Sequence, residues 1–249
     1  MSEFAAGLTG LEFAVIAAVA LASAFVRGLS GFGLALVLVP VLSLMVDPTQ
    51  AVVAANILGV VMGLASFRGA RLTAERSTRI IAPLAMLLTP AGLALLAITP
   101  QPVARVLIAL IALTAFVAVL LPQPKGAWQH GRALSAGTGV ATGLCAGFAG
   151  MPGPPVVAFY LGRRVEKAMA RASMFVIFLA TSLTACVAAW VLDIGGSTAL
   201  WLGAALAPVV LLGNWLGSLA FGKVDDRLWR MAAGALITAT AIVALARLW

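Results

Sequence analysis

The sequence predicts an all-α, polytopic membrane protein built as an inverted-topology repeat, and three observations carry that expectation. Of 249 residues, 63% are hydrophobic and 10% charged, with mean hydropathy +1.11; an ordinary soluble domain is about 25% charged. The apolar residues fall in runs of helix length with the charges between them, and one glycine motif occurs twice. A soluble globular enzyme is excluded, so no catalytic residue is expected. At about 20 apolar residues per span, the length accommodates roughly eight spans and no separate soluble domain. Residues 1–249 are read as one transmembrane domain, with repeat one at about 8–122 and repeat two at about 131–249.

Taken in order, the runs lie near residues 11–26, 29–46, 51–67, 80–98, 106–121, 134–149, 154–161, 172–192, 198–221 and 228–246, which predicts about eight to ten helical segments. Most are long enough to be membrane helices. The run at 154–161 covers only about 12 Å of a hydrocarbon core of about 30 Å and cannot span alone. Ahead of it stands Gly147-Phe148-Ala149-Gly150-Met151-Pro152-Gly153-Pro154-Pro155. Prolines without N–H groups and glycines of high backbone freedom are expected to break any helix there, and a re-entrant hairpin is the simplest geometry.

The formal charge of +8 comes from 16 Lys+Arg against 8 Asp+Glu placed almost entirely between the runs. That distribution indicates topology, not a nucleic-acid partner. Cys145 and Cys186 lie inside apolar runs with no CxxC and no histidine cluster, so neither a disulfide framework nor a metal site is expected, and no cofactor is implied. The amino end lacks the basic region and cleavage site of a signal peptide.

Self-similarity is the most informative feature. Arg27-Gly28-Leu29-Ser30-Gly31-Phe32-Gly33 resembles Ala146-Gly147-Phe148-Ala149-Gly150-Met151-Pro152, with Gly28 and Gly31 both recurring at a shift of 119 residues. Arg105 recurs as Arg230 at a shift of 125. Charge then orients the halves, because cytoplasmic loops are enriched in Lys and Arg. After the first motif comes a loop of net −1 (Asp47-Pro48-Thr49-Gln50) and then one of net +3 (residues 68–79); after the second the order reverses, +3 at residues 163–171 and then −1 around Asp193. Matching loops are thus expected on opposite sides of the membrane, as an inverted duplication requires. Residues 11–46 then form a hairpin entering from outside, and both chain ends lie outside.

Two glycine-broken hairpins entering from opposite faces would bring their tips near the midplane, where non-helical backbone survives only if buried in protein or lining a cavity. At each tip a helix begins, near Gly31-Phe32-Gly33 and near Gly153-Pro154. Its first N–H groups are unpaired and its dipole end is positive, so the pair of starts attracts an anion. The candidate binding residues are Arg27 for compensating charge; Gly28, Ser30, Gly31, Phe32 and Gly33 for one cradle; Gly150, Met151, Pro152 and Gly153 for the other; and Asn56 and Asn214 as polar walls. Arg27 reads either as a cavity charge or as a helix-end residue that snorkels. Asn56 and Asn214 read equally as interhelical glue, and Gly213 and Gly217 read as helix packing. Gln50 reads as loop or gate lining, and Trp128, Trp201, Trp229 and Trp249 as interface anchors. None of the eight acidic residues falls mid-run, and His130 sits in the linker, so no buried proton relay and no cation ligands are visible.

The Gly28-xx-Gly31-x-Gly33 stretch followed by Pro40, its echo in Gly147-xx-Gly150-xx-Gly153-Pro154, and the duplicated apolar plan resemble the TauE/SafE family of sulfite and organosulfonate exporters. The resemblance covers nearly the whole chain, with Phe32 and Met151-Pro152 standing where the family's glycine runs are richer. It implies a bacterial inner-membrane secondary transporter that exports a small sulfur-containing anion such as sulfite or an organosulfonate. The residues themselves suggest potential-driven efflux by alternating access around the tips, with the lipid bilayer as surroundings and a homodimer as a plausible assembly. The competing readings are a membrane-embedded redox protein using Cys145 and Cys186, and a carrier for a different small anion.

Overall fold

A protein this apolar must pair its backbone groups internally, and the chain does so as helices. The computed structural model describes residues 8–120, 131–163 and 165–220, without the side chains of residues 66–71, 116 and 118–120. The expected last run at 228–246, with Trp229, Arg230 and Trp249, lies outside the described residues, as do Trp128, His130 and the chain ends. The helices are α1 (Gly10–Ser30), α2 (Leu34–Met45), α3 (Pro48–Thr73), α4 (Thr78–Ile98), α5 (Gln101–Leu120), α6 (Arg132–Ala149), α7 (Gly153–Gly162), α8 (Lys167–Val191) and α9 (Gly196–Leu219). No strand occurs among the described residues. Among the described residues, five helical stretches are long and apolar enough to cross a membrane: Gly10–Ser30, Pro48–Ala65, Thr78–Ile98, Lys167–Val191 and Gly196–Leu219. The protein is therefore a multi-pass, all-α membrane protein.

Helix starts follow local chemistry. Thr9 caps α1 in a capping box with Glu12, and the Asp47 carboxylate accepts from the Thr49 N–H with Pro48 at the first turn of α3. The same plan recurs at the spacing of the glycine motif. α2 and α7 begin at Leu34 and Gly153, α3 and α8 at Pro48 and Lys167, and α1 and α6 end at Ser30 and Ala149, each pair 119 residues apart. The packing exchanges in the same way: α4 packs on α6 as α9 packs on α1, α4 on α8 as α9 on α3, and α3 and α8 pack on each other.

Equivalent loops lie at opposite ends of the α3–α8 pair. Glu75, between α3 and α4, accepts a salt bridge at 3.2 Å from Arg163, just after α7, and its N–H donates to Ser173 Oγ. Gly195, between α8 and α9, instead packs on Val53 in the second turn of α3. With α8 25 residues long, these ends stand about 37 Å apart. The two arginine-bearing loops, though on different halves, are neighbours, and their helical equivalents share the other end.

Two details differ from expectation. Gly147, Phe148 and Ala149 do not break α6, which runs on to Ala149; the interruption is confined to residues 150–152. In the first hairpin α1 has 21 residues, about 31 Å, and only α2, at 12 residues and about 18 Å, is short. The reason is the same in both halves: Gly28 and Gly147 stay helical because a neighbouring helix presses on them. A Cβ on Gly147 would meet Leu93 N of α4 at 2.5 Å, and one on Gly28 would meet Ser218 N of α9 at 2.8 Å. Gly139 and Gly143 on α6, and Gly213 and Gly217 on α9, continue these two seams of close backbone approach.

A substitution of Gly147 by alanine should lower the apparent Tm of the purified protein by roughly 2–12 °C, because the methyl group meets backbone that cannot yield. Gly137, where a Cβ would meet nothing within 4 Å, should accept alanine without loss; equal melting of the two variants would refute the packing account.

A second expectation concerns pH. Burial raises the Glu75 carboxyl, but hydrogen bonds from Ser77 and the Arg163 guanidinium more than reverse this and hold it below its usual range. A depressed folded-state pKa contributes stability above the unfolded value of about 4.3 that is lost as pH falls further. Thermal stability should decline below about pH 4.3 in the wild type, while Glu75→Gln should start lower and follow a flatter profile; parallel profiles would show that Glu75 carries none of the dependence.

Candidate functional site

The two interruptions share one local design. Gly31 ends α1 at φ 90° with its N–H on Arg27 O, and Gly150 ends α6 at φ 67° with its N–H on Ala146 O. Both positions need the left-handed backbone that glycine adopts without a Cβ penalty. The next helices start without help from side chains: Gly33 at α2 and Pro152 at α7 are the N-caps, and neither start has a side-chain cap. The α2 start offers first-turn N–H groups and a positive dipole end to an anionic partner, whereas among the first three residues of α7 Gly153 alone carries an N–H, because Pro154 and Pro155 have none.

These starts face one cavity of about 40 Å³. It is lined from the first tip by Arg27, Phe32, Gly33 and the first residues of α2, and from the second by Gly150, Met151, Pro152 and Gly153. Ala55 and Gly59 of α3 and Phe178 and Ser182 of α8 close its side. Gly59 and Phe178 are each the twelfth residue of their helices, so the cavity lies near the middle of the α3–α8 pair. The tips touch: a Cβ on Gly153 would stand 3.8 Å from Phe32 Cβ.

Arg27 dominates the electrostatics. It is 3% exposed, and its Nη1 and Nη2 are buried without a hydrogen-bond partner among the described residues. The guanidinium lies over the Phe175 ring at 5.4 Å from the centroid. That contact offsets part of the desolvation of a cation but satisfies none of its donors. Arg171 stacks near the same ring at 5.2 Å and donates through Nη2 to Gly28 O at 2.6 Å, capping the end of α1. None of the described acidic residues, Glu12, Asp47, Glu75, Glu166 and Asp193, lines the cavity.

Other residues singled out in the sequence stand elsewhere. Gly28 faces α9, where the Asn214 carbonyl approaches it; the cavity lining includes neither residue. The Ser30 hydroxyl lies 2.9 Å from Val26 O and 2.7 Å from Phe32 O, so it closes the turn rather than facing the cavity. Gly31 packs against Arg171 and Met174 as the helix cap. Asn56 is buried on α3 and donates to Val52 O at 2.9 Å, one turn back on its own helix. Phe178 and Ser182 were missed, because nothing in an apolar run marks which of its residues face inward. The one available signal was repeat equivalence, since Phe178 stands 119 residues after Gly59. Cys145 and Cys186 are free thiols outside the cavity lining.

The model of the family described as Sulfite exporter TauE/SafE matches residues 15–244. No curated protein and no solved structure matches the chain. With that match running from α1 beyond α9 and through both glycine-broken tips, the chain belongs to the TauE/SafE sulfite exporter family.

Proposed function

We propose that the protein is a secondary transporter that exports a small sulfur-containing anion, sulfite or an organosulfonate, by alternating access around the cavity between the two tips. The observation that carries the reading is Arg27, a buried cation whose terminal nitrogens have no hydrogen-bond partner among the described residues and which lines a cavity between two helix starts without side-chain caps. A buried charge is costly unless paired, and here the groups that would pair with an anion are already assembled. Arg27, the α2 start at Gly33 and the α7 start at Gly153 hold it; Met151 and Pro152 shape the second tip. Gly28, Ser30, Gly31, Asn56 and Asn214 support the tips and helices without lining the cavity.

The inverted plan supports alternating access, because rocking one half on the other would open the cavity first to one end and then to the other. In this structure Glu75 and Arg163 join the halves at the arginine-bearing end, while the Tyr160 hydroxyl lies 3.1 Å from Thr78 Oγ1 beside them. By the positive-inside rule that end is the cytoplasmic one. Efflux of an anion from a negative-inside cell gains about 2.3 kcal/mol per charge per 100 mV, enough to drive export without a coupled ion.

The test is anion flux in proteoliposomes under an imposed potential, with sulfite, sulfoacetate and isethionate as substrates and sulfate and chloride as controls. Sulfur-oxyanion flux that rises with potential and needs no pH gradient is expected; flux restored only by a proton gradient would overturn the uniport mechanism. Arg27→Gln should reduce flux about a hundredfold or more, since two charge-assisted hydrogen bonds are lost. Arg27→Lys, which keeps the charge without the planar fork, should fall between it and wild type. Replacing Cys145 and Cys186 together by serine should leave flux within twofold of wild type, which a redox role would not allow.

A further inference from the structure

One wall of the cavity belongs to neither tip. It is made by Ala55 and Gly59 of α3 and by Phe178 and Ser182 of α8. Hydroxyls elsewhere on α8 are committed to its backbone: Ser173 donates to Met169 O, Thr181 to Ile177 O and Thr184 to Ala180 O, each one turn back. Ser182 is different. It is 4% exposed, lines the cavity, and makes no hydrogen bond among the described residues. Its room is created by Gly59, where any Cβ would collide with Ser182 Oγ. With no bond drawn back to its own helix, the Ser182 hydroxyl is open to a ligand in the cavity it lines.

The aromatic residues complete this wall. Measured from the Cβ position of Gly153, at the α7 start, Phe178 Cζ lies 3.7 Å and Phe32 Cβ 3.8 Å away. One ring from each half therefore flanks the N-terminus that would receive an oxyanion. A cavity of about 40 Å³ has the room of about three water molecules, at roughly 10–15 Å³ for each. That is the scale of a compact oxyanion, and a chain attached to it would have to pass the two rings.

Resting on the anion-carrier reading above, we propose that Ser182 is the hydroxyl donor that orients the bound oxyanion and that Phe178, together with Phe32, sets the size limit of the site. The preferred substrate is then the compact inorganic sulfur oxyanion rather than a sulfonate with a chain of two or more carbons. Arg27 and the two helix starts attract any small anion; Ser182 and the rings decide which one is held.

The experiment compares wild type, Ser182→Ala and Phe178→Leu in proteoliposomes, measuring KM and maximal flux for sulfite and the ratio of isethionate to sulfite flux within each preparation. That ratio is independent of how much protein folds and inserts. Ser182→Ala should raise the sulfite KM roughly tenfold to a hundredfold, with maximal flux within about twofold of wild type, as expected for one lost hydrogen bond to a charged group. Phe178→Leu should raise the isethionate-to-sulfite ratio at least tenfold. An unchanged KM in Ser182→Ala together with an unchanged ratio in Phe178→Leu overturns the proposal while leaving the carrier reading intact. Wild type that carries neither anion overturns both.

Discussion

Backbone polar groups cannot be left unpaired in an apolar surrounding, and the architecture of this protein depends on where that rule is relaxed. Every long run among the described residues meets it by forming a helix. The rule is relaxed at residues 31–33 and 150–152, where α1 and α6 end on left-handed glycines and α2 and α7 begin without side-chain caps. These two breaks are buried against each other, so the starts of α2 and α7 line the same small space, α2 with the N–H groups of its first turn and α7 with that of Gly153. A helix start exposed to water would be satisfied by solvent; one held here is complementary to a desolvated anion.

The frame that holds the breaks together is made by absent side chains. Gly139, Gly143 and Gly147 let α6 approach α4, and Gly28, Gly213 and Gly217 do the same between α1 and α9. In lipid there is no hydrophobic gain from bringing helices together, so close backbone approach and the van der Waals contact it permits carry the association. Because the two seams exchange under the repeat, both tips are positioned by the same kind of contact, and the cavity falls at mid-length of the central α3–α8 pair.

Charge is distributed with equal economy. Arg27 and Arg171 both stack near Phe175, yet only Arg27 lines the cavity, while Arg171 closes the carbonyl end of α1. The Glu75–Arg163 pair is spent differently, joining the halves at one end through groups that also engage Ser77. Membership of the sulfite exporter family and a buried guanidinium with no hydrogen-bond partner among the described residues are the two observations on which the anion-carrier proposal rests.

Composition and periodicity were enough to determine the class of this protein, because 63% hydrophobic residues in helix-length runs admit no soluble alternative. The duplication was legible for a similar reason: glycines needed for a left-handed turn recur at the same spacing, and Gly31 and Gly150 do occupy that conformation. What a glycine does was not legible. Gly28 stands three residues before Gly31 in the motif, but one packs against a helix and the other ends one, and only the approach of α9 decides between those roles. Polar residues were ambiguous in the same way. Ser30 and Asn56 are satisfied by their own helices, whereas Ser182, unremarkable in an apolar run, faces the cavity. A side chain's partners depend on the angular position of its helix and on which neighbour presses against it, and those are set by tertiary packing alone.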